Sequence, residues 1–153
     1  MKSPLSLALS LVLTSMTGAA LAACPCDAPS PPAIRPETVR AALDDMLRAE
    51  GLAPSSSALP VIRRVDLDGD PRTEEAIVDV ISSEHCDVTG LCMSIVVAAR
   101  CDGLKAVGHG RFLQAIDSRS SGWMDVGESG RSLFSVIPVV VRALHWNGVR
   151  YGG

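Results

Sequence analysis

What most limits the fold of this chain is the density of short β-type segments after Pro60. Segments rich in Val and Ile recur at 60–65, 75–82, 91–100, 105–108, 111–116, 123–126 and 132–144, with a last short one at 149–151. Turn residues separate them. A parallel crossover needs a dozen or more residues, which the gaps do not supply, so antiparallel pairing is expected. Asp102-Gly103 and Asn147-Gly148 are hairpin signals, because these residue types accept the positive φ of a tight turn. The run Leu133–Leu144 is apolar, yet it contains Pro138 and Arg142. It falls short of the ~20 residues a membrane span needs, and reads as a long buried strand bent near Pro138.

One helix precedes the strands. Over residues 37–50, Val39, Leu43, Met46 and Leu47 fall at i, i+4, i+7 and i+8 and form a single apolar stripe. Pro36 and Glu37 suit its start, Arg48 and Gly51 its end. One helix and many short strands predict an α+β fold, with one N-terminal helix packed on one face of a mostly antiparallel β-sheet. Residues 37–153 would form it as a single domain.

Residues 1–23 have the parts of a secretory signal peptide: Lys2, the apolar stretch Leu5–Leu13, and small residues leading to Cys24. Leu21-Ala22-Ala23-Cys24 resembles the lipobox of bacterial lipoproteins, an aliphatic residue, two small residues and a cysteine. The resemblance implies that the Cys24 thiol receives diacylglycerol and becomes the first residue after cleavage. Pro25, where Asp would retain a lipoprotein at the inner membrane, implies outer-membrane sorting in enteric-type bacteria. Ala20-Leu21-Ala22 also fits ordinary small-x-small cleavage, which would leave a soluble periplasmic protein. Residues 24–36 then read as the anchor cysteine and a Pro-rich tether, too extended to bury a core.

Cleavage removes 23 of the 153 residues, one of the 14 basic side chains (Lys2) and none of the 17 acidic ones, so the net charge moves from −3 to −4. The remaining chain suffices for one core. A mildly acidic balance points away from nucleic acid, which calls for a basic patch.

The densest polar motif is Asp66-Leu67-Asp68-Gly69-Asp70-Pro71-Arg72-Thr73-Glu74, just before a strand. Carboxylates at alternate positions of a tight loop can converge, and calcium takes about six to eight hard oxygens. The motif resembles the calcium loop of FG-GAP and VCBS-type repeats, D-x-D/N-G-D-G-x-x-D followed by a strand. That resemblance implies a calcium site with Asp66, Asp68, Asp70 and Glu74 as ligands. Two departures stand against it. Pro71 replaces the usual sixth-position Gly and cannot adopt a left-handed turn, and a single copy cannot build a propeller. An EF-hand fits less well, since Ile77 falls where a bidentate Glu is required. The competing expectation is an acidic turn whose Asp side chains cap their own backbone.

With Cys24 lipidated, four cysteines remain, Cys26, Cys86, Cys92 and Cys101. An even number in an oxidising compartment suggests disulfides. Cys86 and Cys92 flank a Gly-containing loop between two strands and are expected to bridge, leaving Cys26 for Cys101. No CxxC or HxxxH spacing supports a zinc site.

No catalytic motif is present. Gly127-Glu128-Ser129-Gly130 is not a nucleophile elbow, and His85 beside Cys86 would point to the opposite face of a strand. The chain is therefore expected not to be an enzyme. It reads as an envelope lipoprotein acting as a binding or interaction module, held to the membrane by its lipid and engaging an envelope protein, with calcium as its candidate cofactor. Two alternatives remain. A periplasmic inhibitor or immunity-type protein would use the acidic loop and an exposed Trp123 as an anchor. An unrecognised hydrolase would place His109 or His145 beside a carboxylate in a concave pocket.

Overall fold

The computed structural model describes residues 31–52, 58–131 and 137–153. Helix α1 (Pro36–Ala49) is followed by strands β1 (Leu59–Val65), β2 (Glu75–Ile81), β3 (Met93–Arg100) and β4 (Gly103–Arg111). Then come β5 (Gln114–Ser120), β6 (Trp123–Arg131), β7 (Pro138–Trp146) and β8 (Tyr151–Gly152). They form two four-stranded antiparallel sheets, β1-β2-β3-β4 and β5-β6-β7-β8, each in sequence order.

The expected α+β fold, one N-terminal helix on one sheet, is corrected by this arrangement. The described chain is mainly β, in two sheets, and its single helix begins only at residue 36, after an extended segment whose Ile34 is already fully buried. The physical reason lies at Arg111-Phe112-Leu113. There Phe112 takes a left-handed φ of 41°, and the chain leaves the first sheet to start the second. No Gly, Pro or Asn marks that corner, so the pattern of strands read as continuous. The expected signal peptide 1–23, Cys24, Cys26 and most of the expected tether lie outside the described residues.

The layers are helix, first sheet, second sheet. Strands β2 and β3 are buried on both faces for this reason. Ala76, Val78, Val80, Ile95 and Val97 face the helix, joining Val39, Leu43 and Leu47. Ile77, Val96 and Ala98 face the second sheet, packing with Leu67, Leu113, Trp123, Val126, Leu144, Trp146 and Tyr151. The apolar stripe of the sequence thus covers one face of the first sheet, and the second sheet covers the other.

Parity along β2 decides where its acids go, because strand side chains alternate between faces. Glu75, Ile77 and Asp79 share the face toward the second sheet. Asp79 is held there by Arg63, which reaches both carboxylate oxygens at 2.8 and 2.9 Å, and by the Ser94 hydroxyl at 2.6 Å. The Arg63 guanidinium also donates to the Leu113 carbonyl at the corner between the sheets. Both expected hairpin dipeptides lie at turns, but the first turn is made by Cys101 and Asp102, with Gly103 opening β4 at φ 125°, while Gly148 takes φ 96° within the second. At the second of them the Asn147 side chain accepts the N–H groups of Val149 and Arg150.

Candidate metal centre

The acidic loop joins β1 to β2 at the junction of the two sheets. Its second residue, Leu67, is fully buried in the core between them, and the Leu67 carbonyl accepts the Met124 N–H of β6 at 2.7 Å. Asp66 and Asp68, on either side of Leu67, therefore turn outward together. Gly69 supplies the left-handed residue of the turn, at φ 81°. That is why Pro71 is tolerated where the resembling repeats carry glycine: the turn is made two residues earlier.

Asp66, Asp68 and Glu75 form a group that can hold a metal ion, with one carboxylate oxygen from each lying within 4.8 Å of the others. Asp66 is exposed, Asp68 half-buried and Glu75 buried. The two remaining sequence-derived ligands turn elsewhere. Asp70 faces Arg72, which contacts both its oxygens at 2.9 and 2.7 Å. Those hydrogen bonds hold the Asp70 carboxyl down at about 2. Glu74, on the helix side of the sheet, accepts the Ile34 N–H at 2.9 Å. Glu75, one residue later, is the acid that enters the group. The pattern D-x-D-G-D predicts the loop but misses this step, because a shift of one residue on a strand exchanges the faces.

The loop also caps itself, as the competing expectation required. Asp66 accepts the Gly69 N–H at 2.6 Å, Asp68 the Asp70 N–H at 2.8 Å, and Asp70 the Arg72 N–H at 3.0 Å. The Thr73 hydroxyl donates within reach of both Asp68 oxygens. These bonds fix the loop without satisfying Glu75. One Glu75 oxygen accepts the Leu67 N–H at a long 3.4 Å, while the other, Oε1, is buried with no hydrogen-bond partner among the described residues. Arg100 lies 3.8 Å from Oε1, too far for a hydrogen bond, and its guanidinium sits instead over the Trp123 ring at 4.7 Å. Burial, and then repulsion from Asp68, push the Glu75 carboxyl up to about 7.

The Cys86–Cys92 disulfide is formed and closes the β2–β3 loop at an isolated bridge between the same two residues. Asp87 inside the loop accepts the Thr89 hydroxyl and the Thr89 and Leu91 N–H groups, and these bonds hold its carboxyl below the ordinary range. Cys101 is disulfide-bonded as well; Cys26, its expected partner, is outside the described residues.

Trp123 is buried, stacked on Trp146 with ring centroids 4.2 Å apart, so it is not available as an exposed anchor. His145 does stand beside a carboxylate, with Nδ1 3.2 Å from Asp125 Oδ2. Burial raises the Asp125 carboxyl, but hydrogen bonds from Ser118, Ser120 and His145 outweigh it and hold the group low. Ser120 Oγ approaches that same Nδ1 at 3.3 Å. Serine and aspartate thus share one ring nitrogen, whereas a nucleophile relay needs them on opposite nitrogens. His109 lines a cleft with Glu128, but Glu128 is engaged by the Arg111 N–H at 3.0 Å and by Arg142 at 3.8 Å. Among known proteins, no family model, no curated protein and no solved structure matches this chain.

Proposed function

We propose that this protein is a lipid-anchored, non-catalytic binding module of the bacterial envelope, whose acidic loop takes a calcium ion. The observation that carries the cation reading is Glu75. A buried carboxylate with one oxygen lacking a hydrogen bond converges there with Asp66 and Asp68 and has the Arg100 guanidinium no nearer than 3.8 Å, so a closer positive charge would lower its free energy. At an effective dielectric of ~20, two carboxylates ~4 Å apart repel by about 4 kcal/mol. Donors that are all oxygen, with no His or Cys, suit a hard cation over zinc or copper. Three carboxylates supply part of calcium's six to eight ligands, which fits a dissociation constant of roughly micromolar to millimolar.

The cysteine count supports the anchor. Five cysteines are an odd number, and Cys86, Cys92 and Cys101 are all in disulfides. Intrachain pairing then leaves one of Cys24 and Cys26 over, which accords with lipidation of Cys24. The cation reading is tested by calorimetric titration of the full chain with calcium, alongside thermal melts in calcium and in chelator. Heat on binding and a melting temperature that climbs with calcium are expected. No heat and no shift up to millimolar calcium would leave the self-capped turn as the whole role of the loop.

A further inference from the structure

We infer that the trench along β4 binds an extended polypeptide by adding it as a fifth strand to the first sheet. Among the described strands β4 lies at an edge, hydrogen-bonded to β3 alone. Seven of its residues in sequence, Leu104–Gly110, line a cleft of about 680 Å3. A second hollow of about 400 Å3 shares His109, Gly110 and Glu128 and carries the groove on past Arg111 to the Cys86–Cys92 loop. Consecutive lining residues are what a strand presents when its edge, and not one face, borders the space. The two faces are occupied. The helix packs above the first sheet, and Tyr151 packs below β4, so close that a Cβ on Gly108 would lie 2.8 Å from the Tyr151 Cβ. The backbone N–H and C=O groups on the outer edge of β4 thus open into the trench as far as Gly110, the setting in which a peptide strand adds to a sheet; the next N–H, that of Arg111, is already taken by Glu128 at 3.0 Å. Seven residues from Leu104 to Gly110 span ~23 Å at ~3.3 Å each.

The walls specify the peptide's side chains. The helix wall carries Glu50 and Asp45, the latter paired with Arg48 at 2.7 Å, while the opposite wall carries Arg150 and Arg142, the latter paired with Glu128 at 3.8 Å. Among the described residues each wall thus keeps one charge outside an ion pair, Glu50 on the helix side and Arg150 on the other. Side chains of an added strand alternate between the two walls, so the complementary partner is an extended segment in which basic and acidic residues alternate. Val107 limits the ladder: it is the extra residue of a bulge between the pairs Val96–Gly108 and Val97–Ala106, and it divides the outer edge into two short stretches. A bulged edge resists indiscriminate pairing, and the charged walls would then select the segment that pairs.

The probe is an acetylated, amidated octapeptide with Lys at odd and Glu at even positions, titrated into the isotope-labelled full chain. Saturable shifts of the Leu104–Gly110 amides are expected, in calcium and in chelator alike. Two further peptides carry the same charges but are N-methylated, one at all odd residues and one at all even residues. Only one set of N–H groups faces β4, so one of these peptides should lose binding and the other keep it. Asp45→Lys with Glu50→Lys should weaken the unmethylated peptide by about tenfold. The inference is overturned if those amides do not shift at millimolar peptide, or if both methylated peptides bind alike, which would mean charge attraction without strand pairing. Absence of a calcium heat would leave this result untouched, since the trench and the acidic loop share no residue.

Discussion

Replacing Glu75 by Gln tests the energetics of the acidic loop most directly. Glutamine keeps the shape and the acceptor for the Leu67 N–H but removes the charge. In the native chain the Glu75 carboxyl is raised from the ordinary 4.5 to about 7, so between those values the folded protein holds a proton that the unfolded chain releases. The contribution of the protonated group is complete below about pH 4.5 and is lost as pH rises through about 7. Each pKa unit is worth ~1.4 kcal/mol, which makes the cost of the ionised, cation-free group roughly 3 kcal/mol. Without calcium, Glu75→Gln should therefore match the parent near pH 4.5 and exceed it by up to about 3 kcal/mol at pH 8, the attraction of Arg100 being already contained in the raised value. For a domain of this size that is a melting shift of roughly 10 °C. Calcium should erase the advantage by stabilising the parent and not the variant. Urea denaturation at several pH values, with chelator and with calcium, reads both effects. A gap between variant and parent that stays flat with pH, or that favours the parent at pH 8, would mean that Glu75 is ionised and satisfied, and the reasoning would fail.

The other loop acids should behave differently from one another. Asp68→Ala is expected to abolish the calcium-dependent rise in melting temperature, while Asp70→Ala, whose carboxylate belongs to Arg72, should keep it; loss of the response in both would point to Asp70 as a ligand after all. Cys24→Ala should release the protein from the membrane fraction and abolish labelling by a palmitate analogue, and persistent labelling would sink the lipoprotein reading. Asp79→Asn should cost about 2–3 kcal/mol in urea denaturation, because it sets an amide donor against the half-buried Arg63 and weakens the Ser94 bond; a midpoint unchanged within error would show that water replaces these partners freely.

Part of this molecule was legible in the sequence. The stripe Val39, Leu43, Met46 and Leu47 predicted a helix over 37–50, and α1 runs Pro36–Ala49, because a 3.6-residue period needs no tertiary information. The hairpin dipeptides and the Cys86–Cys92 staple were also local signals. The division into two sheets was not, since the corner at Phe112 is held by distant partners: the Phe112 N–H donates to the Cys92 carbonyl and the Leu113 N–H to the Ser94 hydroxyl. The third acid of the loop was missed for a related reason. Whether Glu74 or Glu75 points inward depends on the register of β2 between two neighbours, and the loop motif carries no record of that register.

The stacked rings at the sheet junction have a spectroscopic consequence. The chain has two tryptophans, and both belong to one stack, with Tyr151 edge-on to each and Arg100 over one face. Trp123 comes from β6 and Trp146 from β7, and their rings pack against Ile77, Val96 and Ala98 of the first sheet. All tryptophan fluorescence, and any exciton couplet in the circular dichroism of the stacked indoles, therefore reports the seam between the sheets and nothing else. Among the described residues the α-helical ellipticity comes from α1, which rests on the far side of the first sheet. The two optical signals watch opposite faces of one sheet. If their unfolding curves coincide, the three layers melt as one cooperative unit; if the indole signal is lost first, the second sheet detaches while the helix still holds the first.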